Sequence, residues 1–172
     1  MPELQIRKAS PEDVSILKRV GRQTFYETFH DTNTEENLSR YLEESFDDEK
    51  LLDELSNPSS SIYFASYEND VVGYLKVNFG QAQTEFRDEG WFEIERIYVI
   101  KDYWGKAIGQ ALLDFALALG SEKECSYVWL GVWEKNYRAI RFYERSGFLP
   151  FDKHIFQVGN DPQWDLLMKR KV

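Results

Sequence analysis

The chain has 172 residues, of which 42% are hydrophobic and 16% aromatic. This length and composition suit one domain with a sizeable core and argue against intrinsic disorder. Its 21 Lys and Arg residues stand against 30 Asp and Glu residues, giving a net charge of −9. That charge argues against nucleic-acid binding, because phosphates would be repelled, and it permits a cationic substrate. We therefore predict a single domain over residues 1–172.

The sequence predicts neither a metal site nor a membrane segment. Cys125 is the only cysteine, so an internal disulfide is excluded, and His30 and His154 are too far apart in sequence to suggest a metal cluster. No apolar run approaches the roughly 18–20 residues that span a bilayer. The first ten residues also lack the apolar core of a signal peptide. These features predict a cytoplasmic protein with no metal and no membrane partner.

The N-terminal half is predicted to contain a strand, three helices and a hairpin. The segment LQIRKA alternates like an edge strand, and Ser10 then caps a first helix. Thr34 caps a second helix, and Asp47 or Asp48 opens a third. The segments SIYFASY and VVGYLKVNFG form a hairpin around residues 68–70.

The C-terminal half alternates between strands and helices. Residues 91–100 and 127–133 are predicted as strands, and each precedes a helix, at 110–120 and 136–148 respectively. The segments HIFQV and QWDLLMKRKV form a final strand pair across a Gly-Asn-Asp-Pro turn. The pattern indicates an α/β fold with a mixed sheet.

A glycine-bearing loop joins the strand at 91–100 to its helix. It reads Trp104-Gly105-Lys106-Ala107-Ile108-Gly109. Such a loop aims backbone N–H groups and the positive end of a helix at one point, an arrangement that binds phosphate. It contains neither the Gly-Lys-Ser/Thr of a P-loop nor the Gly-x-Gly-x-x-Gly of a dinucleotide fold. Taken alone, it is equally compatible with an ordinary tight turn.

The last predicted helix carries an amide and a phenol at helical spacing. Asn136, Ala139 and Tyr143 are each about one turn apart, so they lie on one side. Asn136 can cap this helix, and Gly147 ends it. The plainer alternative is that Asn136 is only a cap and Tyr143 only a half-buried aromatic residue.

The loop and the pattern N-x-x-A-x-x-x-Y-x-x-x-G-F at residues 136–148 resemble the GNAT superfamily of acetyl-CoA-dependent N-acetyltransferases. The second motif matches without departure. The loop departs twice from the family's Gln/Arg-x-x-Gly-x-Gly/Ala motif, because Trp104 replaces Gln/Arg and Ala107 replaces the first glycine. We expect its N–H groups to point inward still, if Ala107 adopts helical dihedral angles.

The resemblance implies a mostly antiparallel sheet whose two central strands splay apart, with acetyl-CoA in the gap. One splayed strand would offer its free backbone edge to the pantetheine arm, and the loop would hold the pyrophosphate. The residues that the resemblance assigns to the cofactor are Ile97, Tyr98, Val99, Trp104, Gly105, Lys106, Ala107, Ile108, Gly109, Asn136, Ala139 and Tyr143.

The resemblance also suggests the catalytic groups. Tyr143 would protonate the departing sulfur, and Glu93, by its position in the family, would be the general base. Glu93 and Glu95 are two apart on one strand, so we expect them to share a face with apolar Ile97 and Val99. The alternatives are a solvated carboxylate pair, or Glu95 bound to a cation such as Arg96.

The chain resembles bacterial spermine/spermidine N-acetyltransferases in three short segments, YVWLGVWEKN, AI-x-FY and D-L-L-M-K. This resemblance implies a polyamine acceptor. Acidic residues on the first three helices would attract such a cation. They are Glu35, Glu36, Glu43, Glu44, Asp47, Asp48, Glu49, Asp53 and Glu54. Several alternatives stay open: a merely solvated acidic face, a protein N-terminus or lysine as the acceptor, and a module that senses acyl-CoA or a polyamine without turnover. A homodimer is also left open.

Overall fold

The computed structural model describes residues 3–86, 88–158 and 160–172, and the side chains of residues 156, 158 and 161 are not described. Its strands are β1 Leu4–Lys8, β2 Ser60–Tyr67, β3 Asp70–Phe79, β4 Trp91–Val99, β5 Tyr127–Trp133, β6 Leu149–Val158 and β7 Asp161–Lys171. Its helices are α1 Val14–Phe29, α2 Glu35–Ser45, α3 Asp48–Ser56, α4 Ile108–Glu122 and α5 Tyr137–Arg145.

The strands form one sheet in the order β1-β2-β3-β4-β5-β7-β6. Only the β4–β5 pair is parallel, and every other neighbouring pair is antiparallel. The predicted α/β fold with a mixed, mostly antiparallel sheet is therefore confirmed. Among the described residues, no helix is both long and apolar enough to cross a membrane.

The predicted helix starts are set by local hydrogen bonds. Ser10 and Asp13 form a capping box around one turn of 3-10 helix, and α1 follows it. The side chains of Thr34 and Asp47 accept hydrogen bonds from backbone N–H groups three residues ahead, at 3.1 and 3.4 Å. Asp47 rather than Asp48 is therefore the cap of α3. These caps explain why short sequence patterns predicted the residues at which the helices begin.

Apolar clusters cover both faces of the sheet. One lies beneath α4 and includes Phe92, Leu112 and Val128. The other lies beneath α1 to α3 and includes Leu17 and Phe64. Because helices cover both faces, the central strands are buried on both sides, and polar side chains there need partners within the protein.

The two central strands separate partway along their length. β4 pairs with β5 only from Trp91, opposite Tyr127, to Ile94, opposite Leu130. Beyond that point β4 remains paired with β3, while β5 remains paired with β7 as far as Trp133. The predicted splay is present, and it leaves a gap between the second halves of β4 and β5.

Candidate active site

The splay leaves a free backbone edge on β4. Ile100 N donates to Val72 O at 2.8 Å, so its backbone faces β3. Because antiparallel pairing alternates, Tyr98 also directs its backbone groups toward β3, whereas Ile97 and Val99 direct theirs toward the gap. Ile97, Tyr98 and Val99 were predicted to bind the cofactor arm through their backbone. Only Ile97 and Val99 have backbone groups that face the gap. The carbonyl of Val99 already accepts a 2.8 Å hydrogen bond from Trp104 Nε1.

The loop before α4 has the shape of an anion site. Gly105 has φ of +82°, and the space where a side chain would stand is open to at least 4 Å. Ala107 is left-handed, with φ 61° and ψ 18°, so the condition set for inward-pointing N–H groups, helical dihedral angles at Ala107, is not met. Alanine pays roughly 1–2 kcal/mol for this conformation. Glycine would not, which explains why the family motif has glycine here.

The N-terminus of α4 is left without a side-chain cap. Ala107 has no polar atom to accept from the first turn, and the first intrahelical bond runs from Ala111 N to Ala107 O at 3.1 Å. The N–H groups of the first turn therefore lack helical partners, and they lie at the positive end of a helix of 15 residues. The described residues thus fit a phosphate group at this point.

Glu93 is a buried carboxylate with three hydrogen-bond donors. Its side chain is 3% exposed. It accepts from Asn78 Nδ2 at 2.9 Å and from the backbone N–H of Thr84 at 2.8 Å, and the Thr84 hydroxyl also donates to it. Burial raises the pKa of Glu93 above the usual value, although these hydrogen bonds oppose the shift. A carboxylate of this kind binds a proton more readily at neutral pH, as a general base must.

Glu95 is a different kind of carboxylate, because cations surround it. It accepts from Asn78 Nδ2 at 2.9 Å and pairs with Lys76 Nζ at 3.0 Å and Arg96 Nε at 3.4 Å. Burial alone would raise the pKa of Glu95, but Arg96 and Lys76 outweigh burial and hold it below the usual value. The structure therefore bears out the alternative in which Glu95 binds a cation.

The glutamates do not share a face with the apolar residues that follow them. The pairing register shifts between Lys76 and Val77 of β3, which leaves Glu95 as an extra residue in β4. Both glutamates bond to one asparagine, so they do lie together. Ile97 and Val99, however, pack in the cluster beneath α4. The expectation that they lie beside the glutamates is wrong because this bulge reverses the alternation.

The cations beside Glu95 belong to a buried network that includes α3. Arg96 makes two hydrogen bonds to Glu54, at 2.9 and 3.0 Å, and Lys76 lies 3.3 Å from the same carboxylate. The network contains two cations and two anions, so its charge is balanced. Glu54 was predicted to be one of the acidic residues that attract a cationic acceptor. It is not part of an exposed acidic face, so that prediction is wrong for Glu54.

Tyr143 is buried at the inner side of α5. It is 7% exposed and contacts the rings of Phe142 and Phe148, with centroids 5.3 and 5.8 Å away. Burial raises the pKa of Tyr143 well above its usual value, so the phenol stays protonated at neutral pH and can donate. Asn136 Oδ1 accepts from Ala139 N at 3.2 Å, which makes Asn136 the cap of the same helix.

A cleft of about 270 Å³ opens at the end of β5, immediately before α5. Three segments line it: Thr32 after α1, residues 133–135, and residues 162–164 of β7. The cleft lies next to the wide end of the splay, so a molecule in it can approach the gap from the face covered by α1 to α3.

A carboxylate that the sequence analysis did not select lies beside this cleft. Asp165 is opposite Trp133 in the β5–β7 pair, and its Oδ2 is 3.4 Å from the point where Gly131 would carry a Cβ. Burial raises the pKa of Asp165, and His154, 3.5 Å away, opposes that shift. The sequence offered only the phrase D-L-L-M-K here, with no sign of what the aspartate faces.

Other missed residues hold the predicted ones in place. Asn78 and Lys76 contact the glutamates, and both interrupt the apolar run of β3. Polar residues in a strand buried on both sides were the available signal, because such groups need partners. Thr84 comes from the loop before β4, and nothing in the sequence indicated its contact with Glu93.

The described residues offer no activated nucleophile at Cys125 and no metal cluster. The thiol is buried, and burial raises its pKa, so a reactive thiolate is disfavoured. No group of three or more His, Cys, Asp or Glu in the described part of the chain can hold a metal ion.

The loop before α4 and the free edge of β4 can thus bind a phosphate and an amide-bearing arm, and α5, which carries Tyr143, follows β5 on the other side of the gap. A family model described as Acetyltransferase (GNAT) family matches residues 23–148. The chain therefore belongs to the GNAT family, and it is an N-acetyltransferase that uses acetyl-CoA.

Individual relatives agree with this assignment. An uncharacterized N-acetyltransferase of Lactobacillus delbrueckii subsp. lactis is 37% identical over 100% of this chain and 99% of its own length. The spermidine N(1)-acetyltransferase of Thermoplasma acidophilum is 26% identical over 84% of this chain and 88% of its own. The crystal structure of the PaiA N-acetyltransferase of Thermoplasma acidophilum with coenzyme A has a TM-score of 0.81 and 25% identity, covering 99% of each chain.

Proposed function

We propose that the acceptor is a polyamine such as spermidine or spermine. The observation that carries the proposal is a pair of carboxylates on one face of the sheet, of which Glu93 is buried and Asp165 partly buried. Glu93 lies opposite Trp129 of β5, and Asp165 lies opposite Trp133. Because these tryptophans are four residues apart on one strand, the carboxylates share a face and are separated by roughly 13 Å along the strand direction. The extended chain of a linear triamine is of similar length.

Charge and similarity also support this acceptor. Exposed acids on α2 and α3, among them Glu43, Glu44 and Asp53, give the face that carries the cleft a negative field. The charged cleft residues Glu134 and Lys135 balance each other, so the attraction would come from the surrounding acids. The relative from Thermoplasma acidophilum named a spermidine acetyltransferase is similar over most of its length.

The proposed reaction is a direct attack by the amine on the thioester. Glu93 accepts a proton from the bound ammonium group, and the neutral nitrogen forms a bond with the acetyl carbon. The N–H of Val99 on the free edge hydrogen-bonds the developing oxyanion. The carbon–sulfur bond then breaks as Tyr143 donates its proton to the sulfur. The new amide nitrogen releases its second proton to water, and Tyr143 regains a proton from water. Holding the cofactor in the gap and the amine in the adjoining cleft positions the two reacting groups, and this positioning provides much of the rate.

The pH dependence of kcat/KM tests Glu93. The base must be deprotonated, so its raised pKa places the acid limb above the value near 4.5 of an ordinary glutamate. Thr84→Val removes a hydrogen bond that favours the charged form, so the acid limb should move to higher pH. Thr84→Ser keeps the hydroxyl and is the matched control. An acid limb that Thr84→Val leaves in place would assign the titration to another group.

The acceptor is tested by comparing kcat/KM for spermidine, spermine, a simple monoamine and a peptide with a free N-terminus, following released thiol. We expect the polyamines to be preferred by at least about tenfold, and the preference to fall with salt, because a Debye length of about 10 Å at 0.1 M screens long-range attraction. Asp165→Asn should weaken the polyamine preference and spare the monoamine.

Charge reversal identifies the attracting surface. Reversing Glu43 and Glu44 together should raise KM for spermidine, whereas reversing Glu122 and Glu124 at the end of α4, on the opposite face of the sheet, makes the same charge change and should not. If the monoamine is acetylated as well as spermidine and neither reversal matters, the acidic helices are only solvated and the polyamine proposal fails. Preference for the peptide would instead indicate a protein acceptor.

A cytoplasmic location and a single domain over residues 1–172 stay predictions from the sequence, and a homodimer stays an open alternative.

A further inference from the structure

We propose that Arg138, on α5, provides the cation that binds the pyrophosphate of acetyl-CoA, in place of the polar residue that the loop lacks at Trp104. This proposal concerns the co-substrate and is independent of the acceptor amine.

The position of Trp104 is fixed by two contacts. Its indole Nε1 donates to Val99 O at 2.8 Å, which holds the ring at the end of the free β4 edge. The guanidinium carbon of Arg138 lies 3.9 Å from the centre of this ring. Arginine stacks on aromatic faces in this way, and a stacked guanidinium directs its N–H groups sideways, in a plane above the ring, where they can reach other acceptors. The tryptophan therefore acts as a platform for a cation from another helix.

The face of α5 that carries Arg138 runs along the whole loop. Phe142 is one turn further along this helix, and its ring atom Cζ is 3.9 Å from the point where Gly109 would carry a Cβ. Arg138 thus lies against Trp104 at the first position of the loop, and Phe142 lies beside Gly109 at its last position. Arg138 is therefore about one turn of α5 away from the residue that packs beside the start of α4.

The guanidinium is available for a phosphate. Arg138 is exposed, and no carboxylate of the described residues lies within ion-pair distance of it. The loop's own cation is less suitable, because the ammonium of Lys106 lies over the ring of Tyr67, 5.5 Å from its centre, at the end of β2. A guanidinium and a row of backbone N–H groups together can bind phosphate oxygens with charge-assisted hydrogen bonds.

Calorimetric titration with CoA tests the proposal without turnover. Arg138→Gln should weaken CoA binding by about tenfold, the loss of roughly one charge-assisted hydrogen bond. Arg145→Gln removes the same charge from the same helix about 10 Å further on, and should change the Kd by less than about twofold. Thermal unfolding of each variant establishes that it is folded. Unchanged CoA binding by Arg138→Gln would overturn the proposal.

Dephospho-CoA, which keeps the pyrophosphate but lacks the 3′-phosphate, separates the two phosphate sources. An equal loss for CoA and dephospho-CoA supports pyrophosphate binding, whereas a loss seen only with CoA would assign Arg138 to the 3′-phosphate and overturn the proposal as stated.

The Trp104→Arg variant tests whether Arg138 replaces the Gln or Arg that the loop lacks at position 104. Trp104→Arg restores the family's cation in the loop and also removes the ring that positions Arg138, so for both reasons Arg138→Gln should then cost less than about threefold in CoA affinity. If Arg138→Gln costs the same in both backgrounds, Arg138 does not replace the residue at position 104, and the inference is wrong.

Discussion

Tyr143→Phe is expected to lower kcat by roughly ten- to a thousand-fold, because it removes a proton donor used only as the carbon–sulfur bond breaks. The affinity for acetyl-CoA should change by less than about twofold, since the ring and its packing remain. Burial keeps the phenol protonated, and the described residues offer its hydroxyl no hydrogen-bond partner, so the folded protein should not be destabilised. Steady-state kinetics and calorimetry measure the two quantities.

Tyr137→Phe is the matched control for this substitution. Tyr137 is on the same helix but 63% exposed, so loss of its hydroxyl should leave kcat unchanged. If Tyr143→Phe also retains full kcat, Tyr143 is a packing residue and another group, or water, protonates the sulfur.

Glu54→Ala is expected to reduce the free energy of unfolding by about 3–5 kcal/mol, because it leaves two buried cations with only one carboxylate. The Glu54 side chain is 12% exposed and bonds both Arg96 and Lys76. Urea unfolding measures the loss. Asp53→Ala, an exposed neighbour on α3, should cost less than about 0.5 kcal/mol. A loss below about 1 kcal/mol for Glu54→Ala would mean that water satisfies these cations in solution.

The same network makes stability depend on pH. The pKa of Glu95 is depressed in the folded protein, so its stabilising contribution is fully present above the ordinary glutamate value near 4.5. It is lost as the pH falls through the folded value. Acid should therefore weaken the network.

Local signals predicted much of the fold because local interactions determine those features. Thr34 and Asp47 cap helices through bonds to residues three positions away, and Asn136 does the same for α5. The splayed strands followed from family resemblance rather than from alternation or composition. The strand order itself depends on contacts between distant segments.

The site was predicted less fully because its chemistry depends on distant contacts. The bulge at Glu95 is set by the pairing of β4 with β3, and alternation alone cannot reveal it. Glu54 looked like one more surface acid, since its partners Lys76 and Arg96 are distant in sequence. The left-handed Ala107 is an exception to the usual glycine preference, so the residue type pointed to the wrong conformation.

The free edge of β4 has a further consequence for how the protein avoids association with itself. An unpaired strand in the middle of a sheet could recruit a strand from another chain. Here the edge is recessed between the diverging strands, and the Trp104 indole occupies its last carbonyl. A second polypeptide strand needs nearly 5 Å of width plus room for its side chains. The cofactor arm has amide groups but lacks the alternating side chains of a peptide, so we expect this recessed edge to accept it as a temporary strand more readily than a second protein chain.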